Sequence, residues 1–249
     1  MKRVIFVGAD GLGSKFIREF PEYMPTLRSG MLVLDMRTLL PSLSANNWRT
    51  IFTSVPSSVH GYCDYASEKP ELEPATVIDI FSKIRKECGV VAAMYSWPVV
   101  GSLFDDTLDF DESCETDEDV FNTFTEIHQH AFDFMLVYFS SPDTEGHAHG
   151  WGSSQYLRAC TTIDTYLSKI LEIAQDDIVV FVSDHGGIRY SHGGHTLGEV
   201  EVPFAIFGSN RSFVNRPSTI MDVAPTILEL LTLEQPVEWM GRSLLTAQT

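Results

Sequence analysis

The chain of 249 residues is 44% hydrophobic and 20% charged, a composition that excludes disordered, collagen-like and coiled-coil proteins. It carries 17 basic and 34 acidic residues, and the net charge of −17 argues against binding to nucleic acid or to an anionic membrane surface, because both need clusters of Lys and Arg. Four cysteines without CxxC spacing indicate neither a disulfide framework nor a structural zinc site.

The first apolar segment, Val4–Val7, predicts a buried strand. Asp10 ends this apolar run too early for a signal peptide. No apolar stretch approaches the roughly 20 residues that a membrane span needs. We therefore expect a cytoplasmic protein without a membrane partner, and the sequence does not indicate an oligomeric state.

The rest of the chain alternates between apolar strands and amphipathic helices. Strands are predicted at Val90–Tyr95, Phe134–Phe139, Ile178–Val182 and Phe204–Phe207, and helices at Thr76–Cys88, Ser154–Ala174 and Thr219–Leu231. This alternation predicts a single α/β domain over residues 1–249, a three-layer αβα sandwich with a mostly parallel central sheet. The acidic stretch Asp105–Asp119 lacks the spacing of a calcium loop, and we expect it to be a solvated loop.

Asp and His residues follow several predicted strands. Asp10 follows the first strand, Asp143 and His147 follow the third, and Asp184, His185 and His192 follow the fourth. The carboxyl ends of parallel strands meet at one edge of a sheet, so these side chains are expected to cluster. Carboxylates and imidazoles suit zinc or a similar divalent ion, and three of each exceed one tetrahedral shell. The pattern therefore indicates two cations, the usual arrangement for in-line displacement at phosphorus.

A loop over residues 42–50 is predicted to lead into a helix with Ser44 at or near its N-cap. Two interpretations of Ser44 remain open from the residues alone. It is either an ordinary helix cap, or a nucleophile whose pKa is lowered by the helix N-terminus and a metal. In the second case the Asn47 amide would hold a phosphoryl oxygen.

Five motifs together resemble the alkaline phosphatase superfamily, and most of all its nucleotide pyrophosphatase/phosphodiesterase branch. In order they are GADG, SANNW with TIFTSVPSSVHG, SPDTEGHAHG, SDHGG with SHGGHT, and MDVAPTILELL with GRSL, and they span Val4 to Leu245. The resemblance implies a metal-dependent phosphoric ester hydrolase with an alkaline-phosphatase-like core. The family's large insertions are missing, so only residues 61–132 have room for a minimal cap.

The resemblance also implies roles for individual residues. One divalent cation would be held by Asp10, Ser44, Asp184 and His185, and the other by Asp143, His147 and His192. Ser44 would be the nucleophile, Asn47 would bind phosphate, and the cations would be zinc, with manganese as the alternative. The substrate would be a small phosphate ester or a nucleotide.

The sequence departs from the family pattern at a few positions. Asn46 stands where the family often has Pro, and His149 and His195 are additional histidines. The family-like HGG form favours His192 over His195 as the ligand, and His149 is expected outside the site. The open alternatives are a phosphonate hydrolase, a phosphomonoesterase and a metal-binding pseudoenzyme. Sulfatase chemistry is not expected, because its nucleophile motif, a Cys or Ser followed by Pro and Arg at fixed spacing, is absent around Ser44.

Overall fold

The computed structural model describes residues 3–62, 77–104 and 108–247. Its strands form one seven-stranded sheet. They are β1 (Val4–Ala9), β2 (Met31–Arg37), β3 (Val91–Tyr95), β4 (Phe110–Ser113), β5 (Phe134–Phe139), β6 (Ile178–Val182) and β7 (Glu201–Phe207). The spatial order is β2-β7-β6-β1-β5-β3-β4. Strand β7 runs antiparallel to both of its neighbours, whereas the pairs that link β6, β1, β5, β3 and β4 are parallel.

Helices cover both faces of the sheet. They are α1 (Ser14–Glu19), α2 (Pro25–Ser29), α3 (Ser44–Thr53), α4 (Ser57–His60), α5 (Ile80–Cys88), α6 (Asp117–Ile127), α7 (Ser141–His149), α8 (Ser154–Ile173), α9 (Leu197–Val200) and α10 (Val223–Leu230). Short 3₁₀ turns lie at Pro21–Tyr23, Pro98–Ser102 and Ile220–Asp222.

Two apolar cores lie on opposite faces of the sheet because successive strand residues point in opposite directions. Phe6 of β1 packs edge-to-face on Phe52 of α3, with ring centroids 6.5 Å apart. Its neighbour Val7 belongs to the other core, with Ile163 and Leu167 of α8. Strand β1 is buried along its whole length, which confirms the three-layer αβα arrangement with a mostly parallel sheet.

The five predicted strands are all present, and β7 begins three residues earlier than expected. The predicted helices are also present, although α5 begins at Ile80 behind an Asp79 cap, and the last one is a 3₁₀ turn followed by α10. Thr76 lies outside the described residues.

The prediction of a solvated acidic loop over Asp105–Asp119 is wrong in two places. Phe110–Ser113 forms β4, the strand at one edge of the sheet. Charged side chains are tolerated in such an edge strand. Asp117 begins α6, and a capping box between Thr116 and Asp119 secures the helix start. Residues 105–107 lie outside the described part.

Residues on both sides of the 61–132 segment belong to the same sheet, and the segment itself supplies β3, β4, α5 and α6. A single domain with a small cap remains a prediction, since residues 63–76 and 105–107 are not described. Among the helices of the described ranges, none is both long enough and apolar enough to cross a bilayer.

Candidate active site

The three central strands end together at one edge of the sheet. Gly8 of β1 lies opposite Tyr138 of β5 and Val182 of β6, so the residues just beyond these positions emerge side by side. Asp10 follows β1, Asp143 lies in the first turn of α7 after β5, and Asp184 follows β6. The structure thus brings the predicted carboxylates together from distant parts of the chain.

A first group of side chains surrounds the buried imidazole of His185. Its Nε2 lies 3.3 Å from Asp10 Oδ1, 3.4 Å from Asp184 Oδ2 and 2.9 Å from Ser44 Oγ. Ser44 Oγ is also 3.3 Å from Asp10 Oδ1. These four residues are the set that the family resemblance implies for one cation.

A second group is built on Asp143. Asp143 Oδ1 lies 3.7 Å from His192 Nε2, and Oδ2 lies 3.6 Å from His147 Nε2, one helical turn further along α7. The Asp143 Oδ1 atom is also 3.8 Å from His185 Nε2, so His185 stands between the two groups. Among the described residues, the ligand atoms close enough to share an ion form the sets Asp10–Asp184–His185 and Asp143–His185–His192, and His147 belongs to neither set.

In each of the three histidines, the Nδ1 atom is hydrogen-bonded to a backbone carbonyl. The partners are Gly186 for His185, Tyr190 for His147 and Ser42 for His192, at 2.9, 3.0 and 2.8 Å. A carbonyl only accepts, so Nδ1 carries the proton and Nε2 faces the carboxylates. This is the tautomer and orientation that a metal-ligating histidine needs.

The Asp10 carboxylate is oriented by two donors on its other oxygen. Tyr138 Oη donates to Oδ2, and Trp48 Nε1 donates to the same atom over 3.2 Å. The Oδ1 atom is left to face Ser44 and His185. Sequence reasoning missed both donors, because Tyr138 looks like an ordinary residue of an apolar strand. Trp48 carried one signal, its place directly after Asn47 in a motif.

The electrostatics of the site show carboxylates crowded in a buried space. Burial and the charge of Asp10 raise the pKa of Asp184 well above its usual value, and raise that of Asp143 to about 6. Burial acts to lower the pKa of His185, but Asp184 and Asp10 outweigh it and raise this pKa to about 10.

The residues fit divalent cations on one further observation. Asp143 Oδ1 and Asp184 Oδ2 are buried oxygens without a hydrogen-bond partner among the described residues, an arrangement that is costly unless a ligand satisfies them.

The two additional histidines lie elsewhere. His195 is exposed, and His149 lies at the end of α7 with its Nε2 3.5 Å from Glu145 Oε2. Neither belongs to a described set of ligand atoms that could share an ion. Of the two candidates in the HGGH segment, the structure brings His192 to Asp143 and leaves His195 outside.

Ser44 is the first residue of α3, and Leu43 occupies the cap position. The interpretation of Ser44 as a cap is therefore wrong, since its hydroxyl faces His185 and Asp10 instead. Asn47 is fully buried and donates from Nδ2 to the Asp184 carbonyl over 3.0 Å. Asn46 is equally buried and donates to the Pro41 carbonyl.

A family model described as type I phosphodiesterase / nucleotide pyrophosphatase matches residues 4–202. The chain belongs to this family. Structural neighbours agree with its fold. Murine ectonucleotide pyrophosphatase/phosphodiesterase 5 superposes with a TM-score of 0.79 at 14% identity, over 99% of this chain and 100% of that one. A 2-O GAG sulfatase superposes with a TM-score of 0.74 at 14% identity, over 98% of this chain and 73% of that one.

Curated relatives include 2,3-bisphosphoglycerate-independent phosphoglycerate mutases. The protein from Dinoroseobacter shibae is 33% identical over 139 residues, which are 51% of this chain and 26% of that protein. The one from Ehrlichia canis is 35% identical over 124 residues, 46% of this chain and 24% of that protein. This chain thus matches about a quarter of the length of these curated relatives.

Proposed function

We propose that the chain is a metal-dependent phosphoric ester hydrolase that cleaves phosphodiester or pyrophosphate bonds through a phospho-Ser44 intermediate. The observation that carries this proposal is the position of Ser44 Oγ, 2.9 Å from His185 Nε2 and 3.3 Å from Asp10 Oδ1 at the start of α3. A hydroxyl at a helix start beside crowded carboxylates and imidazoles supports the role of a nucleophile.

Asp10, Ser44, Asp184 and His185 would hold one cation, and Asp143, His147 and His192 the other. The donor set suits zinc, and manganese is the alternative. When bound, two such ions supply Lewis acidity, neutralise phosphoryl charge and lower the pKa of a hydroxyl that they coordinate.

The chain's own residues then have separate tasks. Ser44 Oγ attacks phosphorus as the bond to the leaving oxygen breaks, and the leaving group carries away the proton that Ser44 loses, as an alcohol from a phosphodiester or as a phosphate from a pyrophosphate. The N–H groups at the start of α3 favour the negatively charged phosphoryl group. Asn47 uses one amide N–H for the Asp184 carbonyl, and its second N–H is the donor we assign to a phosphoryl oxygen. Water then hydrolyses phospho-Ser44.

The Ser44→Ala variant tests the proposal. We expect turnover of a chromogenic phosphodiester to fall by at least about 1,000-fold, because the nucleophile is lost. We also expect rapid quenching of the wild type during turnover to yield a phosphorylated Ser44 peptide, and we expect the variant to lack it. Ser57→Ala is the matched control, since Ser57 is likewise half-buried and begins a helix. Unchanged turnover in Ser44→Ala would contradict the proposal.

Nucleotides are the substrate class we place first. The family model supports them, and an inactive variant of the murine phosphodiesterase 5 neighbour is described in complex with AMP, with a TM-score of 0.76. A panel of matched nitrophenyl diester, monoester, phosphonate and sulfate ester substrates separates this assignment from phosphonate hydrolysis and monoester hydrolysis.

A second candidate is transfer of the phosphoryl group to another hydroxyl instead of water. It is favoured by the 33% identity to the Dinoroseobacter shibae phosphoglycerate mutase over half of this chain. Incubation with 3-phosphoglycerate separates the two reactions. A mutase would form 2-phosphoglycerate, whereas a hydrolase acting on this ester would release inorganic phosphate.

A further inference from the structure

Trp151 lies directly behind the second ligand group. Its side chain is buried, and its ring centroid is 5.0 Å from that of His147 and 5.9 Å from that of His192. The indole Nε1 donates to the carbonyl of Gly11 over 2.9 Å. One residue therefore contacts both imidazoles that are assigned to the second cation.

The indole occupies a slot that depends on two glycines. A Cβ atom at Gly146 would lie 2.5 Å from the indole ring, and a Cβ atom at Gly187 would lie 2.2 Å from it. The backbone around the residue is fixed as well, since Trp151 N–H donates to the Arg189 carbonyl over 2.7 Å. The indole thus packs directly against the backbone at both glycines.

The three segments that meet at the indole are the segments that carry the cation ligands. Gly11 follows Asp10, Gly146 precedes His147 on α7, and Gly187 lies between His185 and His192. A displacement of the indole would therefore change the spacing of the ligand-bearing segments.

The indole adds a contact to imidazoles that are already partly fixed. His147 and His192 each donate one Nδ1–H bond, to the carbonyls of Tyr190 and Ser42, and His192 also stacks on His185 with ring centroids 3.7 Å apart. The indole meets the His147 and His192 rings at steep angles of 81° and 63°. Outer contacts of this kind tune metal ligands.

We propose that Trp151 is a positioning residue for the second cation, which sets the planes of the His147 and His192 imidazoles and the separation of the segments that carry them. This inference rests on the proposed two-cation centre. Trp151 touches no reacting atom, and its effect is on cation affinity.

The first test compares Trp151→Phe with Trp239→Phe in metal-free protein. Trp239 is a matched control, because it is also buried and donates from Nε1 to a backbone carbonyl, that of Ile78, over 2.8 Å. Zinc affinity is measured by competition with a chromophoric chelator. We expect Trp151→Phe to bind one of two cations about 10- to 100-fold more weakly and to keep the other. Trp239→Phe should bind both as the wild type does.

The visible spectrum of bound cobalt supplies a readout that a loss of stability does not imitate. The absorption bands of the more weakly bound cobalt ion should change in Trp151→Phe, because the geometry of its ligands changes. They should stay unchanged in Trp239→Phe.

A second variant, Gly146→Ala, keeps Trp151 and is expected to displace its indole, because the added methyl group would lie 2.5 Å from the ring. Ala favours a helix interior over Gly, so a loss of affinity would come from the added methyl group against the indole. Gly30→Ala is its control, because the added Cβ would lie 2.6 Å from the ring of Phe207, which belongs to neither ligand group.

The outcomes separate this inference from the proposed function. Wild-type affinities and cobalt spectra in both Trp151→Phe and Gly146→Ala would overturn the positioning role and leave the metal centre standing. A wild-type protein that binds fewer than two cations would overturn the two-cation centre, and the positioning role with it.

Discussion

The imidazole of His192 has two contacts that prepare it to bind a cation. Its Nδ1 atom is held by the Ser42 carbonyl, and its Nε2 atom lies 3.7 Å from Asp143 Oδ1. His195, three residues later, is exposed. The two histidines are chemically equal, and only their surroundings differ.

We therefore predict that His192→Ala loses one of two bound cations and that His195→Ala keeps both. Metal content of the purified variants, measured by mass spectrometry of the element, decides between them. Unfolding temperatures measured without metal show whether either substitution damages the fold. The opposite ranking of metal content would transfer the ligand role to His195.

The short helix α4 ends in a buried histidine that links it to α3. The Nδ1 atom of His60 accepts from the backbone N–H of Tyr62 over 3.1 Å, so its proton is on Nε2, which donates to Thr50 Oγ1 over 3.0 Å. Burial and the positive charge of Arg49 lower the pKa of His60 to about 3. The folded protein therefore holds this imidazole neutral at pH values where an unfolded chain would protonate it.

This pKa shift predicts a loss of stability in acid. Between pH 6.5 and about pH 3 the unfolded chain binds a proton at His60 that the folded chain does not. The free energy of unfolding should fall as the pH falls through this range, by up to about 1.4 kcal/mol per pH unit from this residue. Denaturant unfolding of the wild type and His60→Gln at several pH values measures the difference.

The dependence on pH should be shallower in His60→Gln than in the wild type. His130→Gln, which changes an exposed histidine, is the control and should follow the wild type. Parallel curves for all three proteins would show that His60 titrates alike in the folded and unfolded states.

Elements with a clear apolar period were predictable, and those at the sheet edges were not. Strand β5 has the predicted bounds because every one of its residues is buried. Strand β2 was missed, since it is mostly half-buried, contains Asp35 and pairs with β7 through an irregular register. An edge strand needs little apolar sequence, and β4 escaped prediction for the same reason.

The ligand cluster was predictable because its residues follow strands, and its outer contacts were not. Asp10 and Asp184 could be paired from the rule that parallel strands end at one edge. The Tyr138 and Trp48 bonds to Asp10 join residues whose types are common in any core. The surroundings of Arg49 were not predictable either. It is buried, 3.4 Å from Asp79, and donates to the Leu103 carbonyl.

At the scale of the whole molecule, the proposed cations link activity to stability. They would bind the folded chain only, so their removal should abolish turnover and lower the unfolding temperature. A free cation concentration of 100 times the dissociation constant adds about 2.7 kcal/mol to the free energy of unfolding. For a chain of this size, this raises the unfolding temperature by roughly 5–10 °C. Calorimetry before and after chelation tests this, with a chelator already saturated with calcium as the control. Full activity after exhaustive metal removal would contradict the metal-dependent mechanism.

The charge of the site favours substrates with one negative charge. Two divalent cations would balance the three Asp carboxylates and a deprotonated Ser44, so a phosphodiester brings one excess negative charge and a monoester nearly two. Among the described residues, the ion pairs of Asp10, Asp143 and Asp184 all go to histidines. The overall charge of −17 adds a repulsion that salt screens beyond roughly 8 Å.

We therefore predict a higher kcat/KM for a nitrophenyl diester than for the matched monoester, by a modest margin. Lys15, Arg49 and Arg189 are the candidate basic residues for binding a dianion, and Arg49 is buried beside Asp79. Lys15 pairs loosely with Glu19 at 4.0 Å, and Arg189 is exposed. The monoester rate of Arg189→Gln shows whether Arg189 reaches the substrate. A clear preference of the wild type for the monoester would contradict the charge argument.

The central place of β1 in the sheet also has a kinetic consequence. Hydrogen bonds at its carboxyl end join Asp10 to Tyr138 and Gly11 to Asp184, residues that are 128 and 173 positions apart in the chain. Closing loops of that length costs entropy before the contacts repay it, so pairing of this kind is slow. We expect the candidate ligands to meet only after the middle of the sheet has formed. A bound cation would therefore lengthen the lifetime of the folded protein by slowing its unfolding, and it would leave the rate of folding unchanged.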